Sequence, residues 1–418
     1  MNGRGADASG RPETPPLSLY VLGSAISEPG TLGGDTRILL ELLRRWATWG
    51  AVHATILTSE ARRETCTQYR LPDSVGYERC PDAPGVWSFA GHLRAAMRAR
   101  HLASRLVPGP DRPETIVYSA SDFLTDVLPA FRLKRRFPLV TWMASRFLFV
   151  PSPFRGWQRS YDRGVGAPDP LLAVASVYQR YAFSLIARRA DLFLITNEVD
   201  RVHFERRGIA PSRVWPVYGG VDFDEISSTP EQPSLYDGCF VGRISPQKGV
   251  LDLVDIWARV RARKKDARLA LIGSGNPRFE RELRDAVQAR DLGGSIDLLG
   301  FLDGPAKHRI YKASRVFLHT SVYDNYGMAA CEAMAAGVPA VLYDLPPLRV
   351  AYPQGCLRAP RNDRQAFADA VLRLIQDRET RERLGAEAVA WARTQDWDRK
   401  AREVLQFITA GVAARAGA

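Results

Sequence analysis

The stretch Thr320-Ser321-Val322-Tyr323-Asp324-Asn325-Tyr326-Gly327-Met328-Ala329-Ala330-Cys331-Glu332-Ala333-Met334-Ala335-Ala336-Gly337-Val338-Pro339 decides how the rest of this chain is read. A polar loop with one carboxylate, Asp324, runs into a helix of small residues that carries a second, Glu332. The spacing of eight positions is about two helical turns, so both acids can face one ligand. Between them Gly327 lets the backbone pass close to a ligand, and the N–H groups around Asn325 to Met328, where the helix starts, suit a phosphate. Upstream, Asp237-Gly238-Cys239-Phe240-Val241-Gly242-Arg243-Ile244-Ser245-Pro246-Gln247-Lys248-Gly249-Val250 reads as a short apolar strand, a basic loop and the start of an amphipathic helix, with apolar positions at Leu251, Leu253, Val254, Ile256, Trp257 and Val260. Arg243 and Lys248 flank a turn made by Ser245 and Pro246, which puts two cations at a strand's carboxyl end, where α/β folds bind their ligands.

Further runs complete an alternating series of strands and helices. Leu269–Ile272 enters a turn at Gly273, Ile296–Leu299 leads to Gly300 and Phe301, and Arg315–His319 and Val338–Leu342 follow. In the amino-terminal half, Leu19–Gly23 reads as a strand followed by a loop with Gly30, Gly33, Gly34 and Asp35. A helix then shows apolar residues at Ile38, Leu39, Leu42, Leu43 and Trp46, and ends near Gly50 before the strand Ala54–Thr58. Such alternation calls for doubly wound parallel sheets, and 418 residues suit two domains of about 200 residues each.

Taken together these motifs resemble the retaining glycosyltransferases of family 4, the group 1 glycosyl transferases of glycosyltransferase B architecture. The stretch Asp324 to Glu332 is similar to the family's E-x7-E element, with Asp in place of the first Glu, and Val241–Gly249 resembles its VGRLSPEKG signature. The resemblance implies an α/β protein of two doubly wound, Rossmann-like domains facing across a cleft. It implies an amino-terminal acceptor domain over 17–218, a nucleotide-sugar donor domain over 219–397, and a closing helix in 398–418 that returns to brace the first domain. The join falls near Pro216–Asp222, and residues 1–16 read as a disordered leader.

Roles follow from the same likeness. Arg243 and Lys248 would neutralise the donor diphosphate, Asp324 would hold the transferred sugar, and Glu332 the nucleotide ribose. Gly33, Gly34, Gly273, Phe301, Asn325, Tyr326, Gly327 and Met328 would line the donor site. Asp122, at the end of the strand Ile116–Ser119, falls in acceptor territory, with Ser121 or Asp122 expected to cap the next helix and Asp126 to be solvated. One departure is plain: many relatives carry a His after the next strand, and Leu139–Ser145 has none. His319 ends a strand just before the Asp324 loop, either packed there or approaching the nucleotide. Asp222-Phe223-Asp224 has metal-binding spacing but lies in the interdomain turn, so neither metal nor cofactor is expected.

Composition is that of a globular enzyme, with 45% hydrophobic and 25% charged residues. Five cysteines without metal spacing, no apolar run of membrane-spanning length and no signal peptide lead us to expect a reducing cytoplasm. The net charge of +12 is uneven: 29 basic and 20 acidic residues up to Gly220, against 29 and 26 after it. Arg132, Lys134, Arg135 and Arg136 form one basic cluster. Arg146, Arg155, Arg159 and Arg163 recur beside Phe147, Phe149, Phe154, Trp157 and Tyr161, which suits either the anionic inner face of a membrane or a loop whose aromatics fold inward. No recognition helix or aromatic ribonucleoprotein motif accompanies the charge, so nucleic acid is not the expected partner. The excess of Arg over Lys, with abundant Ala and Gly, looks like GC-rich bacterial coding.

The expected activity is metal-independent, retaining transfer of a sugar from a nucleotide-diphosphate donor, UDP first with GDP or ADP open, to an acceptor alcohol on a glycan, lipid or natural product. Alternatives are an epimerase or a phosphorylase-like enzyme of the same architecture, and a non-catalytic scaffold bound to nucleic acid or membrane.

Overall fold

This computed structural model describes residues 16–28, 32–80, 91, 93, 94, 97, 100, 101, 111–156 and 170–417. The leader over 1–16 and the loop residue Gly30 therefore lie almost wholly outside the described residues. These fall into two compact units: those within Met1–Phe154, Pro168–Gly219 and Trp397–Ala418, and those within Arg155–Ala167 and Gly220–Asp396.

In the first unit, short apolar runs form β1 (Leu17–Leu22), β2 (Val52–Thr58), β3 (Gly76–Arg79), β4 (Thr115–Ser119), β5 (Thr141–Arg146), β6 (Leu192–Ile195) and β7 (Val214–Pro216). They pair in parallel in the order β3-β2-β1-β4-β5-β6-β7. β4, β5 and β6 are buried along their whole length instead of alternating, as expected for parallel strands covered on both faces. Helix Gly34–Thr48 turns Ile38, Leu39, Leu42, Leu43 and Trp46 into the core. It begins at Gly34, so Gly34 and Asp35 lie in its first turn and not in the preceding loop: Gly33, with extended backbone, is the residue that caps it.

Helix Trp397–Ala416 also belongs to this unit. Trp46 Nε1 donates to Ala401 O at 2.9 Å, Arg45 Nε reaches Asp398 Oδ1 at 2.6 Å, and Phe407 stacks on Trp215. Arg415 pairs with Asp191, which also accepts from Lys134 Nζ at 2.8 Å. Lys134, one of the four cations read as a basic cluster, is thus a structural link.

The second unit repeats the plan with β8 (Gly238–Val241), β9 (Leu269–Ile272), β10 (Ile296–Leu298), β11 (Phe317–His319), β12 (Ala340–Tyr343) and β13 (Cys356–Ala359). All pairs are parallel, in the order β10-β9-β8-β11-β12-β13. Helix Val250–Arg263 buries Val250, Leu253, Val254, Ile256, Trp257 and Val260, whereas Leu251 is 37% exposed. Leu251 thus falls on the solvent side of a stripe that the sequence reading drew one residue too wide.

Topology decides which loops can meet. The chain winds outward from β8 to β10, returns, and winds the other way from β11 to β13. The β8/β11 boundary is therefore the switch point, and the loops leaving these two strands lie side by side at their carboxyl ends. Those loops are Gly242–Gly249 and Thr320–Gly327. The corresponding boundary in the first unit is β1/β4.

Candidate active site

At the second unit's switch point the basic loop ends in a single tight turn, Pro246–Lys248, and Gly249 starts the next helix in the left-handed region at φ +64°. A side chain at Gly249 could not be accommodated: its Cβ would lie 2.0 Å from the Thr320 carbonyl oxygen. That close approach lets the two loops be stitched together. Val322 N donates to Gln247 O at 3.0 Å, Gln247 Nε2 to Tyr323 O at 3.1 Å, and Thr320 Oγ1 to Lys248 O at 3.0 Å. Lys248 Nζ then reaches across to Asp324 Oδ2 at 2.6 Å.

Asp324 is buried and its carboxylate is surrounded by donors. Oδ1 accepts from Asn325 N at 2.9 Å and, more weakly, from Tyr326 N at 3.4 Å. Oδ2 meets Lys248 and also the His319 Nε2 at 3.2 Å. Burial alone would raise its pKa, but the Lys248 ammonium and the His319 imidazole more than offset this and hold the group well below the usual carboxylate range. His319 is both packed at the strand end, 3% exposed and stacked on Phe317, and in reach of the acid. Its ring fits because residue 327 is glycine at φ +72°; a Cβ there would sit 2.8 Å from the imidazole.

Gly327 is also the cap of helix Met328–Ala335 and has no side chain with which to satisfy the first N–H groups. Met328 and Ala329 remain partly exposed, so this helix start can receive an anion. Arg243 is exposed at the end of β8, and Phe301 is 53% exposed beyond β10. Gly273, at the end of β9, donates its N–H to Gly300 O at 2.8 Å.

Glu332, one turn into that helix, is 2% exposed and belongs to a separate network. Its Oε2 accepts from Tyr311 Oη at 3.0 Å and lies 3.0 Å from Lys307 Nζ, which also reaches Asp303 Oδ1 at 2.7 Å. The sequence reading did not find Lys307 and Tyr311. Their spacing of four on helix Gly304–Lys312, which puts both on one face, was the available signal. Among the described residues no group of three or more His, Cys, Asp and Glu side chains could hold a metal ion.

In the first unit Asp122 lies just past β4. Its Oδ2 accepts from Gln179 Nε2 at 2.9 Å and is 3.8 Å from an Arg146 nitrogen. Burial raises its pKa, against the pull of Arg146 and the Gln179 hydrogen bond. Neither Ser121 nor Asp122 caps helix Leu124–Arg136; Phe123 is the cap, without a side-chain hydrogen bond. Ser121 Oγ donates instead to Asp126 Oδ2 at 2.6 Å, while Asp126 Oδ1 accepts from Ser24 N at 3.0 Å and Ser24 Oγ at 2.5 Å. Asp126 is therefore buried and not solvated: it joins the loops after β1 and β4 at the switch point, and burial pushes its pKa up to about 6.

Gly33, capping helix Gly34–Thr48, donates its N–H to Ser27 Oγ at 2.9 Å, and Gly34 is exposed beside it. The basic and aromatic stretch from Arg146 is only in part a surface feature. The Arg146 guanidinium lies 4.0 Å from the Phe149 ring and 4.2 Å from Phe183, buried between them, because cation–π contact holds the charge inside. Phe154 and Arg155 are exposed; Trp157, Arg159, Tyr161 and Arg163 lie outside the described residues.

Residues 225–391, nearly the whole of the second unit, match the family model described as glycosyl transferases group 1. The chain is 31% identical over 195 residues to a phosphatidyl-myo-inositol mannosyltransferase of Mycobacterium leprae, covering 45% of this chain and 51% of that one. It spans about half the length of the curated relatives it matches. Solved structures resemble it over more of its length. Anabaena HepE, determined with UDP and glucose, covers 94% of this chain and 100% of its own at 15% identity and a TM-score of 0.70. Sucrose-phosphate synthase of Thermosynechococcus elongatus covers 96% and 100% at 18% identity and 0.72. At such identities the likeness is one of fold: the chain shares with them the glycosyltransferase B plan of two parallel α/β domains.

Proposed function

We propose that this protein is a retaining, metal-independent glycosyltransferase that moves a sugar from a nucleoside-diphosphate donor to an acceptor hydroxyl. The observation that supports the reading is that, in a unit matching the group 1 glycosyl transferases, Lys248 reaches Asp324 at 2.6 Å just before a helix start at Met328 that has no side-chain cap, with Arg243 exposed in the same loop as Lys248. These are the groups that a departing diphosphate needs where no metal neutralises it. In the reaction, the bond between the sugar's anomeric carbon and the phosphate oxygen breaks with its electron pair on the diphosphate. The acceptor oxygen bonds to the same face of that carbon, and its proton passes to the departing phosphate oxygen.

Asp324 holds hydroxyls of the sugar and Glu332 those of the ribose. Gly273, Phe301, Asn325, Tyr326 and Gly327 shape the donor pocket; in the first unit Gly34 is exposed at the start of its helix, where a phosphate can meet its backbone, whereas the Gly33 N–H is already held by Ser27, and Asp122 serves the acceptor. UDP is the nucleotide we expect, since the HepE structure was determined with UDP. A relative named for phosphatidyl-myo-inositol supports a lipid-linked acceptor met at the cytoplasmic face of a membrane, with exposed Phe154 and Arg155 as contacts. No helix among the described residues is long and apolar enough to cross a membrane.

A thermal-shift screen over sugar nucleotides, followed by product analysis with and without EDTA, tests the reading. Binding to the folded state raises the melting midpoint by mass action. A raised midpoint with one donor, and transfer that keeps the anomeric configuration in EDTA, is the expected result. The absence of any shift across UDP-, GDP- and ADP-sugars, or transfer that only Mn²⁺ restores, would overturn it.

A further inference from the structure

A lysine that is almost wholly buried is unusual, because its ammonium must leave water unless a counter-charge accompanies it. Lys307 is 5% exposed and is held between two carboxylates, Glu332 at 3.0 Å and Asp303 at 2.7 Å. Asp303 precedes the Lys307 helix and is half exposed, whereas Glu332 lies on another helix and is as buried as Lys307. Four residues on, Tyr311 is fully buried and its hydroxyl donates to the same Glu332 oxygen at 3.0 Å. Two donors from one helix face thus converge on a single oxygen of the acid.

We propose that Lys307 and Tyr311 are positioning residues for Glu332: they fix the plane and the charge of its carboxylate so that it discriminates nucleotides by their ribose hydroxyls. This rests on the donor-binding reading above. The physical need is specific. A carboxylate with rotatable side-chain bonds can recognise a vicinal diol only if its orientation is set before the ligand arrives, and a lone buried anion would lose charge or turn toward solvent. Tyr311 sets direction through a hydrogen bond; Lys307 supplies the counter-charge. Neither is assigned contact with the diphosphate, which belongs to Arg243, Lys248 and the helix start.

The test is a ratio of affinities, which a merely structural role would not move. Dissociation constants are measured by calorimetry for UDP, GDP and ADP, for the 2′-deoxyribose form of whichever binds best, and for inorganic pyrophosphate. Wild type is expected to prefer ribose over 2′-deoxyribose about tenfold, the value of one well-placed hydrogen bond. In Lys307→Met the preference falls to about twofold or less, and in Tyr311→Phe to an intermediate value, while pyrophosphate affinity stays within about twofold in both. Lys307→Arg, which keeps the charge, restores part of the preference. Should Lys307→Met fail to fold, the milder Tyr311→Phe and Lys307→Arg still move the ratio. An unchanged ratio in the folded variants, or a wild type that binds the diphosphate without ribose preference, overturns the inference and leaves glycosyl transfer standing. A wild type that binds none of the three nucleotides overturns both.

Discussion

Asp324 is held in place within the chain by Lys248 and two backbone N–H groups, with the His319 ring beside it. Lengthening it to Glu would carry the carboxylate about 1 to 1.5 Å beyond those donors, enough to break hydrogen-bond geometry. Asp324→Glu is therefore expected to lower kcat/KM with the native donor at least tenfold, and kinetics equal to wild type would show that the site does not depend on this short acid. Because its pKa is held below the usual range, Asp324 contributes stability that is present above about pH 4, the unfolded value, and is lost only as pH falls through the lower folded value. Any loss of activity between pH 5 and 6 must come from another group. Arg243 is exposed where Lys248 is paired, so Arg243→Ala should cut turnover about thirtyfold or more, from the loss of about 2 to 4 kcal/mol of leaving-group stabilisation, with little change in the melting midpoint. A normal turnover at saturating donor would remove Arg243 from the clamp. Lys248, Asp324, Gly327 and Glu332 could be proposed as site residues because their motifs are contiguous, and the fold brings Lys248 and Asp324 together. His319 was seen but left undecided, and Lys307 and Tyr311 were passed over, because their spacing on one helix face names no partner and Glu332 is reached only through the fold.

At the scale of elements, the strand and helix alternation was legible from apolar runs and glycine turns, and with it the plan of both sheets, although β3, β6 and β13 were not read from the sequence. What the sequence did not disclose is how the loops close on one another. Asp126 was read as solvated. In the fold it sits under the β1/β4 switch point and accepts from Ser24 and Ser121. Its carboxyl is pushed up to about 6, above the unfolded value of about 4, so the stability it contributes is fully present below about pH 4 and is lost as pH rises through 6. The shift corresponds to roughly 2 to 3 kcal/mol. Asp126→Asn cannot titrate, and the stability difference between wild type and this variant should accordingly change by an amount of that order between pH 4 and pH 7. Urea midpoints at the two pH values measure it, and parallel curves would show that the carboxyl is not titrating where its burial implies. The Arg146 stretch stayed open between two readings for a similar reason: alternating basic and aromatic residues look the same whether the rings face water or, as with Phe149 and Phe183, enclose the guanidinium.

At the scale of the whole molecule, the last helix belongs to the unit built by the first residues of the chain. Trp397, Ala401, Val404, Ile408 and Val412 are all buried along one face, at the spacing of three to four residues that an amphipathic helix requires. Burial of such side chains is worth about 1.5 to 3 kcal/mol for each of the larger ones. Removing four of them, with the Trp46 hydrogen bond to Ala401 and the Arg45 pair with Asp398, would cost about as much as the 5 to 15 kcal/mol that holds a typical domain folded. A chain ending at Asp396 should therefore lose the first unit and keep the second. Hydrogen exchange is the direct measurement: amides of helix Gly34–Thr48 and of β6 and β7 should lose protection by two orders of magnitude or more, while β8, β9 and β11 to β13 keep theirs. Because Lys248, Asp324 and Glu332 all lie in the unit that survives, the truncated chain should still bind the nucleoside diphosphate but transfer no sugar. Equal loss of protection in both units would mean that the second unit depends on this helix as well. Unaltered protection in both would mean that the helix contributes nothing the first unit needs, against the buried face and hydrogen bonds it presents there.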